Sequence, residues 1–305
     1  MNDAHTEAAA NAAAFVSAIQ ARLGTRWLAR ELHGLDETDS TNRAAAELAA
    51  QGADHGTTVL AEAQTAGRGR HGRSFFSPPS RNLYTSIVLR PGTAGAPAPT
   101  TVLCAGIAVA EAVASTLNDR GRVQIKWPND VLIDGLKTSG ILMEAIANGT
   151  GGTPPAVAGS ATAVGHVGVL GIGVNLNLAR DELPEEFRER ATSVAHARGE
   201  SVDRPAFAAL LYGTLERVLE THQRGGFEAV RDAFESFFRM TDEFVRVTDL
   251  AGEPRAEGVV RGVAPDGALR LVDARGAEHR VLAGDVTVAK GETVAKGETL
   301  NRGPA

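Results

Sequence analysis

Apolar residues recur with helical spacing in several segments of the chain. Phe15, Ile19 and Leu23 lie at i, i+4 and i+8 within an Ala-rich stretch, which predicts one amphipathic helix over residues 5–30. Apolar positions with similar spacing predict further helices at 43–50, 101–118, 205–223 and 226–239.

Between these segments, short runs of β-branched and other apolar residues predict strands. The dipeptide Asp134-Gly135 separates two such runs and is a strong signal for a two-residue hairpin turn. After residue 244 the chain consists of short β-runs punctuated by turns, which favours a small separate barrel. The earlier strands are predicted at 59–62, 83–89, 123–127, 131–133, 136–144 and 167–178.

The composition is that of an ordinary globular protein, with 43% hydrophobic and 22% charged residues and a net charge of −6. Cys104 has no intramolecular disulfide partner, which fits a reducing compartment. The first residues lack the basic start and apolar run of a signal peptide, and no apolar stretch approaches the roughly 20 residues that span a bilayer. We therefore expect a cytoplasmic protein that binds neither membrane nor nucleic acid.

The negative charge is unevenly distributed along the chain. Residues 63–110 contain five arginines and no acidic residue, so this window carries +5 against −11 for the remainder. Arg68, Arg70 and Arg73 alternate with glycines, which disfavours a helix and predicts a mobile basic loop. The window is either a solvated basic face or a site for a small polyanion, since arginine offers bidentate donors to phosphate and carboxylate.

The same loop matches the pattern Gly-x-Gly-x-x-Gly, which is also the dinucleotide-binding fingerprint. That fingerprint requires a helix immediately afterwards and an acidic residue ~20 positions further on. Here Pro78 and Pro79 interrupt any helix, and the next acidic residue is Glu111. The Rossmann interpretation is therefore rejected.

Several motifs, taken in order and with their spacing, closely resemble biotin protein ligases over roughly residues 36–290. Each motif alone is weak, whereas all of them in this order are highly specific. The segments are Asp39-Ser40-Thr41-Asn42, the run Gln64-Thr65-Ala66-Gly67-Arg68-Gly69-Arg70-His71-Gly72-Arg73, Arg81-Asn82-Leu83-Tyr84, Lys126-Trp127-Pro128-Asn129-Asp130, the stretch from Leu136 to Leu142, and the stretch from Gly171 to Asn177.

The resemblance implies ATP-dependent activation of biotin to biotinyl-adenylate, followed by transfer to a lysine of a carrier domain. Activation brings a carboxylate against a triphosphate, so cations must neutralise like charges, and Mg²⁺ is expected with ATP. The resemblance implies that biotin is bound by Ser40, Thr41, Asn42, Gln64, Arg68, Gly69, Arg70 and Lys137. It implies that the adenylate is bound by Arg70, Arg73, Phe75, Asn129 and Asn175. The implied catalytic residues are Lys137, Arg68, Arg70 and Asp130; no metal ligand or general base is identified.

Each motif also has a purely structural interpretation. Ser40 or Thr41 could simply cap the helix that follows, Trp127 to Asp130 could be a strand-ending turn, and Lys137 could be a solvated lysine. The joint pattern favours function for these three, but His71 is interpreted as an exposed loop residue. Gly171 and Gly173 mark either tight packing or the approach of a ligand. Two departures from the family pattern are Phe75-Phe76 in place of a tryptophan and Thr138-Ser139 in place of an apolar-alanine pair.

The resemblance also implies the architecture: an α+β catalytic domain on a mixed, mostly antiparallel sheet, as in class II synthetases, and an SH3-like barrel. The expected domains are an Ala-rich helical extension at 1–35, a biotin- and ATP-binding domain at 36–240, the barrel at 241–290 and a disordered tail at 291–305. The expected protein partner is the biotin carboxyl carrier domain of acetyl-CoA carboxylase or a related carboxylase. A DNA-binding repressor is disfavoured because 39 residues before Ser40 offer one clear helix. Lipoate ligase motifs are not found.

Overall fold

The computed structural model describes residues 3–94, 98–146, 166–249 and 252–288. The loop predicted at 147–163 and the tail predicted at 291–305 lie outside the described residues. The chain forms two compact units, one of residues 1–239 with 265–267 and the other of residues 240–264 with 268–305.

The first unit is built on a seven-stranded sheet of order β1-β2-β3-β7-β6-β5-β4. Strands β1 and β2 are parallel and all other neighbours are antiparallel, which confirms the predicted mixed, mostly antiparallel sheet. The strands are β1 (Leu32–Thr38), β2 (Thr58–Gln64), β3 (Leu83–Leu89), β4 (Val123–Lys126), β5 (Asp130–Ile133), β6 (Leu136–Ile146) and β7 (Val167–Val174).

Six α-helices accompany this sheet in the described part of the first unit. The most buried is α3, whose side chains pack against α5 and against β4, β5 and β6. By length and composition α3 alone among the described helices could cross a membrane, but 72% of its apolar window is buried inside the fold, as a core helix requires. The helices are α1 (Asp3–Gln20), α2 (Thr41–Ala50), α3 (Pro99–Leu117), α4 (Val194–Arg198), α5 (Arg204–Gly225) and α6 (Arg231–Glu235).

The hairpin predicted at Asp134-Gly135 is confirmed. Both residues have positive φ, 51° and 81°, which a type I′ turn requires and which Asp-Gly tolerates. Strands β5 and β6 leave this turn with Ile133 opposite Leu136. The turn therefore fixes the register that brings Asp130 and Lys137 to one site.

The sequence prediction was wrong at both ends of the first unit. The helix predicted over 5–30 ends at Gln20, and the strand β1, which was not predicted, follows. Strand β1 lies at the sheet edge and is mostly exposed or half-buried, so its sequence lacks a clear apolar alternation. The helix predicted over 226–239 is a 3₁₀ turn, Phe227–Val230, followed by the short α6, because Gly226 has φ of 64° and Phe227 and Phe234 turn into a buried aromatic cluster.

The second unit contains a five-stranded antiparallel sheet of order β11-β10-β9-β8-β12. Alternating valines and leucines form its core, including Val245, Val247 and Val260, all with no exposed surface. This confirms the predicted all-β character after residue 244. Its strands are β8 (Phe244–Thr248), β9 (Pro254–Val263), β10 (Leu269–Val272), β11 (Glu278–Val281) and β12 (Asp285–Val288).

Candidate active site

The first turn of α2 supplies three polar residues that are all at most 5% exposed, Ser40, Thr41 and Asn42. Ser40 occupies the N-cap position, but its side chain makes no capping hydrogen bond. The backbone N–H and Oγ1 of Thr41 both donate to Oε1 of Gln64, at 2.9 and 3.1 Å. The structure thus joins two segments that the sequence separates, and a cap alone does not account for these residues.

Asn42 lies directly over Gly171 of β7. A Cβ built at residue 171 would stand 2.1 Å from Oδ1 of Asn42, so no larger residue fits there. The side chain of Asn42 donates through Nδ2 to Oε2 of Glu144 at 2.7 Å and accepts through Oδ1 from Ser86 Oγ at 2.6 Å. The glycine therefore makes room for a polar side chain that is fully hydrogen-bonded on both sides.

Phe75 covers the second glycine on the same face of β7. Residues 171 and 173 are two apart and so face the same side of the sheet, and a Cβ at Gly173 would lie 2.8 Å from the ring of Phe75. The ring also borders Gly140, which the Lys137 ammonium approaches as well, and it meets Tyr84 edge-on at 6.3 Å between centroids. Burial raises the pKa of Tyr84, so its hydroxyl stays neutral and donates to the carbonyl of Pro78.

The basic loop, residues 67–75, is closed by its own backbone. Phe75 N–H donates to Gly67 O at 2.8 Å, and a β-bridge joins Arg68 to Ser74. A 3₁₀ turn over Arg70–Gly72 forms the tip, where Gly72 has φ of 72°. The loop prediction is confirmed in its non-helical character, and these contacts give it a defined shape.

Three site cations each have an acceptor at close range. Arg68 Nη1 lies 3.2 Å from Glu144 Oε1, and Arg70 Nη1 donates to Asn129 Oδ1 at 3.1 Å. Lys137 Nζ lies 2.6 Å from Asp130 Oδ1. The side chains of Arg68 and Lys137 are 48% and 39% exposed, so both can still reach a ligand. An anionic ligand would compete with these acceptors for the three cations.

The other two arginines of the basic window serve different purposes. Arg81 forms a surface ion pair with Glu182 at 2.9 Å, and Arg90 donates to the carbonyl of Ala53 at 2.9 Å. The polyanion interpretation therefore stays a prediction for the loop arginines alone.

The segment Trp127 to Asp130 is a turn between β4 and β5 that also presents site residues. Trp127 is 2% exposed, and the peptide bond to Pro128 is cis. Asn129 is held by two bonds to Ile141: its Nδ2 donates to the carbonyl and its own carbonyl accepts from the N–H, at 3.0 and 2.9 Å. Its Oδ1 then faces Arg70. The turn interpretation is confirmed, and a binding role for these residues stays a prediction.

Four further residues that the sequence analysis named make contacts within the protein. Asn175 is 7% exposed, and its Nδ2 donates to Thr192 O at 3.2 Å. Thr138 and Ser139 have no exposed surface, and Ser139 Oγ donates to Gly173 O at 2.7 Å. The hydroxyls that depart from the family pattern are thus satisfied within the sheet. Arg73 is exposed, and its carbonyl accepts from Gly69 N–H inside the loop.

Two residues of this site were not identified from the sequence, Glu144 and Ser86. Each is a polar residue with apolar neighbours in its strand, Ile87 after Ser86 and Met143 before Glu144, and Ser86 has no exposed surface. Burying a charged or hydroxyl side chain in a strand is costly unless it is hydrogen-bonded. A polar residue among apolar ones in a predicted strand therefore indicates a buried polar contact, and this could have pointed to both residues.

Comparison with known proteins decides the family. Residues 34–153 match the biotin/lipoate A/B protein ligase family. A Paracoccus denitrificans protein named biotin--[acetyl-CoA-carboxylase] ligase is 34% identical over 239 residues, which cover 78% of this chain and 92% of that protein. The chain belongs to the biotin protein ligase family. The resemblance found in the sequence is thereby confirmed.

Other members of the family are similar over most of their length. The bifunctional ligase/repressor BirA of Bacillus spizizenii is 31% identical over 270 residues, which cover 88% of this chain and 78% of that protein. The biotin protein ligase of Aquifex aeolicus, solved in complex with biotin and ATP, has a TM-score of 0.68 and 26% identity, covering 85% of this chain and 99% of that structure. The family match at 34–153 includes α2, the basic loop, the turn at 127–130 and Glu144.

Proposed function

We propose that this protein is an ATP-dependent biotin protein ligase that attaches biotin to a lysine of a biotin carboxyl carrier domain. The observation that carries the proposal is the convergence of Asn42, Phe75, Arg68 and Lys137 on one glycine-lined face of β6 and β7. Arg70 is bonded to Asn129, which is itself held by Ile141 of β6. Membership of the biotin protein ligase family supports the choice of biotin as the acid.

In the first step a biotin carboxylate oxygen attacks the α-phosphorus of ATP, a P–O bond forms and pyrophosphate leaves. Both reactants are anions, so Arg68, Arg70 and Lys137 lower the barrier by neutralising charge as the two groups approach. Mg²⁺ is proposed to arrive on the nucleotide phosphates, because it binds through phosphates with one or two carboxylates. Asp130, beside Lys137, is the carboxylate that fits this role; within the described residues no group of three ligating side chains occurs.

In the second step the ε-amine of the carrier lysine attacks the carbonyl carbon of the adenylate, an amide forms and AMP leaves. The mixed anhydride is easily hydrolysed, so water must be kept from it between the steps. The loop at 67–75, which stands over the site and carries two of the cations, is the element proposed to cover the adenylate.

The ring-binding residues are proposed to be Ser40, Thr41, Asn42 and Gln64, together with Gly69 of the loop. Amide and hydroxyl groups supply both donors and acceptors, as a ureido ring requires. Arg73, Phe75, Asn129 and Asn175 are proposed for the adenylate. The protein-bound contacts of Asn175 point to a supporting role there.

The test is exchange of labelled pyrophosphate into ATP, measured with biotin, with lipoate and with neither acid. We expect exchange with biotin alone. Lipoate-dependent exchange would reassign the substrate, and folded protein that exchanges with neither acid would refute the activity. Transfer is tested separately by the mass increase of a purified carrier domain, with a carrier whose target lysine is replaced by arginine as the control.

A further inference from the structure

Glu144 is a carboxylate near the end of strand β6, and its side chain is 16% exposed. Its two oxygens have different partners. Oε1 lies 3.2 Å from Nη1 of Arg68 in the basic loop, whereas Oε2 accepts from Nδ2 of Asn42 at 2.7 Å. One side chain therefore contacts both the loop and the first turn of α2.

The contact to Asn42 decides which way the asparagine amide faces. An ionised carboxylate only accepts hydrogen bonds, so the Nδ2 end of Asn42 must point to Glu144. The Oδ1 end then accepts from Ser86 Oγ at 2.6 Å. Since Gly171 leaves no free space beside Oδ1, Asn42 is held in a single orientation.

Polar contacts continue from Asn42 back to the same loop. Ser86 Oγ lies 2.8 Å from Thr41 Oγ1, and the backbone N–H of Thr41 donates to Gln64 Oε1 at 2.9 Å. Gln64 Nε2 donates to Ser77 Oγ at 2.9 Å, and that hydroxyl donates to the carbonyl of Phe75 at 2.8 Å. Glu144 thus closes a chain of polar contacts that leaves the loop at Arg68 and returns at Phe75.

We propose that Glu144 is a positioning residue with two separable tasks, an inference that rests on the proposed function of this site. Through Oε2 it orients Asn42 for the biotin ring. Through Oε1 it binds Arg68 and so holds the loop in place in the ligand-free protein. The anionic ligand then replaces Glu144 as the partner of the Arg68 guanidinium. The Arg68 contact is expected to end on ligand binding, while the Asn42 contact persists.

Two substitutions separate these tasks. Glu144→Gln keeps an oxygen acceptor for Asn42 but removes the charge that attracts Arg68, whereas Glu144→Ala removes both contacts. The matched control is Glu278→Gln in the second unit, which removes the charge of an exposed pair with Arg270 at 2.7 Å.

The readouts are the KM values for biotin and ATP in the exchange assay and trypsin cleavage of the ligand-free protein at residues 68–73. For Glu144→Gln we expect a biotin KM within about twofold of wild type and cleavage faster by about threefold, since a partly exposed ion pair is weak. For Glu144→Ala we expect faster cleavage and a biotin KM raised by about tenfold, the loss of one charge-assisted hydrogen bond. The ATP KM stays within about twofold in both variants, and Glu278→Gln changes neither readout.

Several results would overturn the proposal. Equal biotin KM values for Glu144→Ala and wild type would refute the orienting task, and unchanged cleavage in Glu144→Gln would refute the hold on Arg68. A fall in kcat with no change in either KM would assign Glu144 a merely structural role. The cleavage comparison needs no activity, so it tests the Arg68 contact even if wild-type exchange fails and the proposed function is wrong. If Glu144→Ala does not fold, Glu144→Gln still tests the contact with Arg68. Glu144→Asp then tests the contact with Asn42, because its shorter side chain withdraws the carboxylate from the asparagine.

Discussion

The ammonium group of Lys137, the second residue of β6, lies 2.6 Å from Oδ1 of Asp130, the first residue of β5. The hairpin turn between the two strands fixes this pair, and both the Lys137 ammonium and the ring of Phe75 approach Gly140. A carboxylate thus keeps in place the cation that is proposed to neutralise charge during biotin activation.

Replacing Lys137 tests that assignment. Lys137→Met keeps most of the side-chain length but removes the charge, and we expect kcat for biotin-dependent exchange to fall by about 10²–10³, as for other lost transition-state donors. Lys137→Arg restores the charge with different geometry and should recover only part of this loss. A kcat of Lys137→Met within threefold of wild type would remove Lys137 from the chemistry.

Gly171→Ala tests the packing of Asn42. The new Cβ would stand 2.1 Å from Asn42 Oδ1, so the asparagine must leave its hydrogen bonds with Ser86 and Glu144. We expect a higher biotin KM and a loss of about 1–3 kcal/mol in the free energy of unfolding, the usual cost of overpacking. Both are measured on one preparation, by exchange kinetics and by urea denaturation.

The control is Gly213→Ala in the middle of α5, where a Cβ would meet nothing within 4 Å. Alanine is the better helix former, so this variant should gain up to about 1 kcal/mol in stability and leave the biotin KM unchanged. If Gly171→Ala behaves like Gly213→Ala, the tight contact between Gly171 and Asn42 is not a feature of the site.

The elements that sequence analysis predicted are those with strong local signals. The strand Leu83–Leu89 was predicted at its observed bounds, and the Asp134-Gly135 turn was predicted from two residues alone. Strand β1 escaped because an edge strand that pairs in parallel needs little apolar character of its own. Its partner β2 supplies the hydrogen bonds, and no local pattern reveals that pairing.

The polar contacts of the site were likewise predicted only where a local motif marks the residue. Motif resemblance singled out Asn42, Gln64, Arg68 and Lys137, which the structure places around one face of the sheet. Glu144 was missed because its partner Asn42 is 102 residues away in sequence. A contact of that separation depends on the sheet order, in which β6 and β7 bring Glu144 beneath α2.

The buried side chain of His55 is expected to make the stability of the protein depend on pH below neutrality. Burial lowers the pKa of His55 from 6.5 to about 4, and its Nδ1 accepts from the N–H of Arg90, which requires an unprotonated nitrogen. The unfolded chain therefore binds a proton more readily than the folded one between these values, so stability is full above about 6.5 and declines as the pH falls towards 4. Denaturation at pH 7 and pH 4.5 should show a smaller decline for His55→Gln than for wild type. An equal decline would mean that His55 is not buried in its neutral form.

Glu216 of α5, which lies outside the candidate site, is expected to stabilise the fold through its carboxylate. Its carboxylate accepts the backbone N–H groups of Arg26, Trp27 and Leu28 at 2.9–3.0 Å and so fastens the segment between α1 and β1 to α5. Burial alone would raise the pKa of Glu216, but these three donors and the charge of Arg26 bring it below 4.5. The folded protein thus favours the ionised form, and the resulting stability is present above about pH 4.5 and lost as the pH falls further.

Glu216→Gln keeps the shape of the side chain but removes the charge that strengthens three hydrogen bonds. At pH 7 we expect the free energy of unfolding to fall by about 1.5–3 kcal/mol, the range for hydrogen bonds to a charged group. The difference from wild type should shrink as the pH falls below about 4.5, because the wild-type carboxylate is then progressively protonated. Glu228→Gln, which removes the charge of an exposed pair with Arg231, provides the comparison and should leave stability unchanged. If Glu216→Gln were as stable as Glu228→Gln at pH 7, the carboxylate of Glu216 would not hold the segment between α1 and β1. Loss of its charge would then leave the free energy of unfolding unchanged.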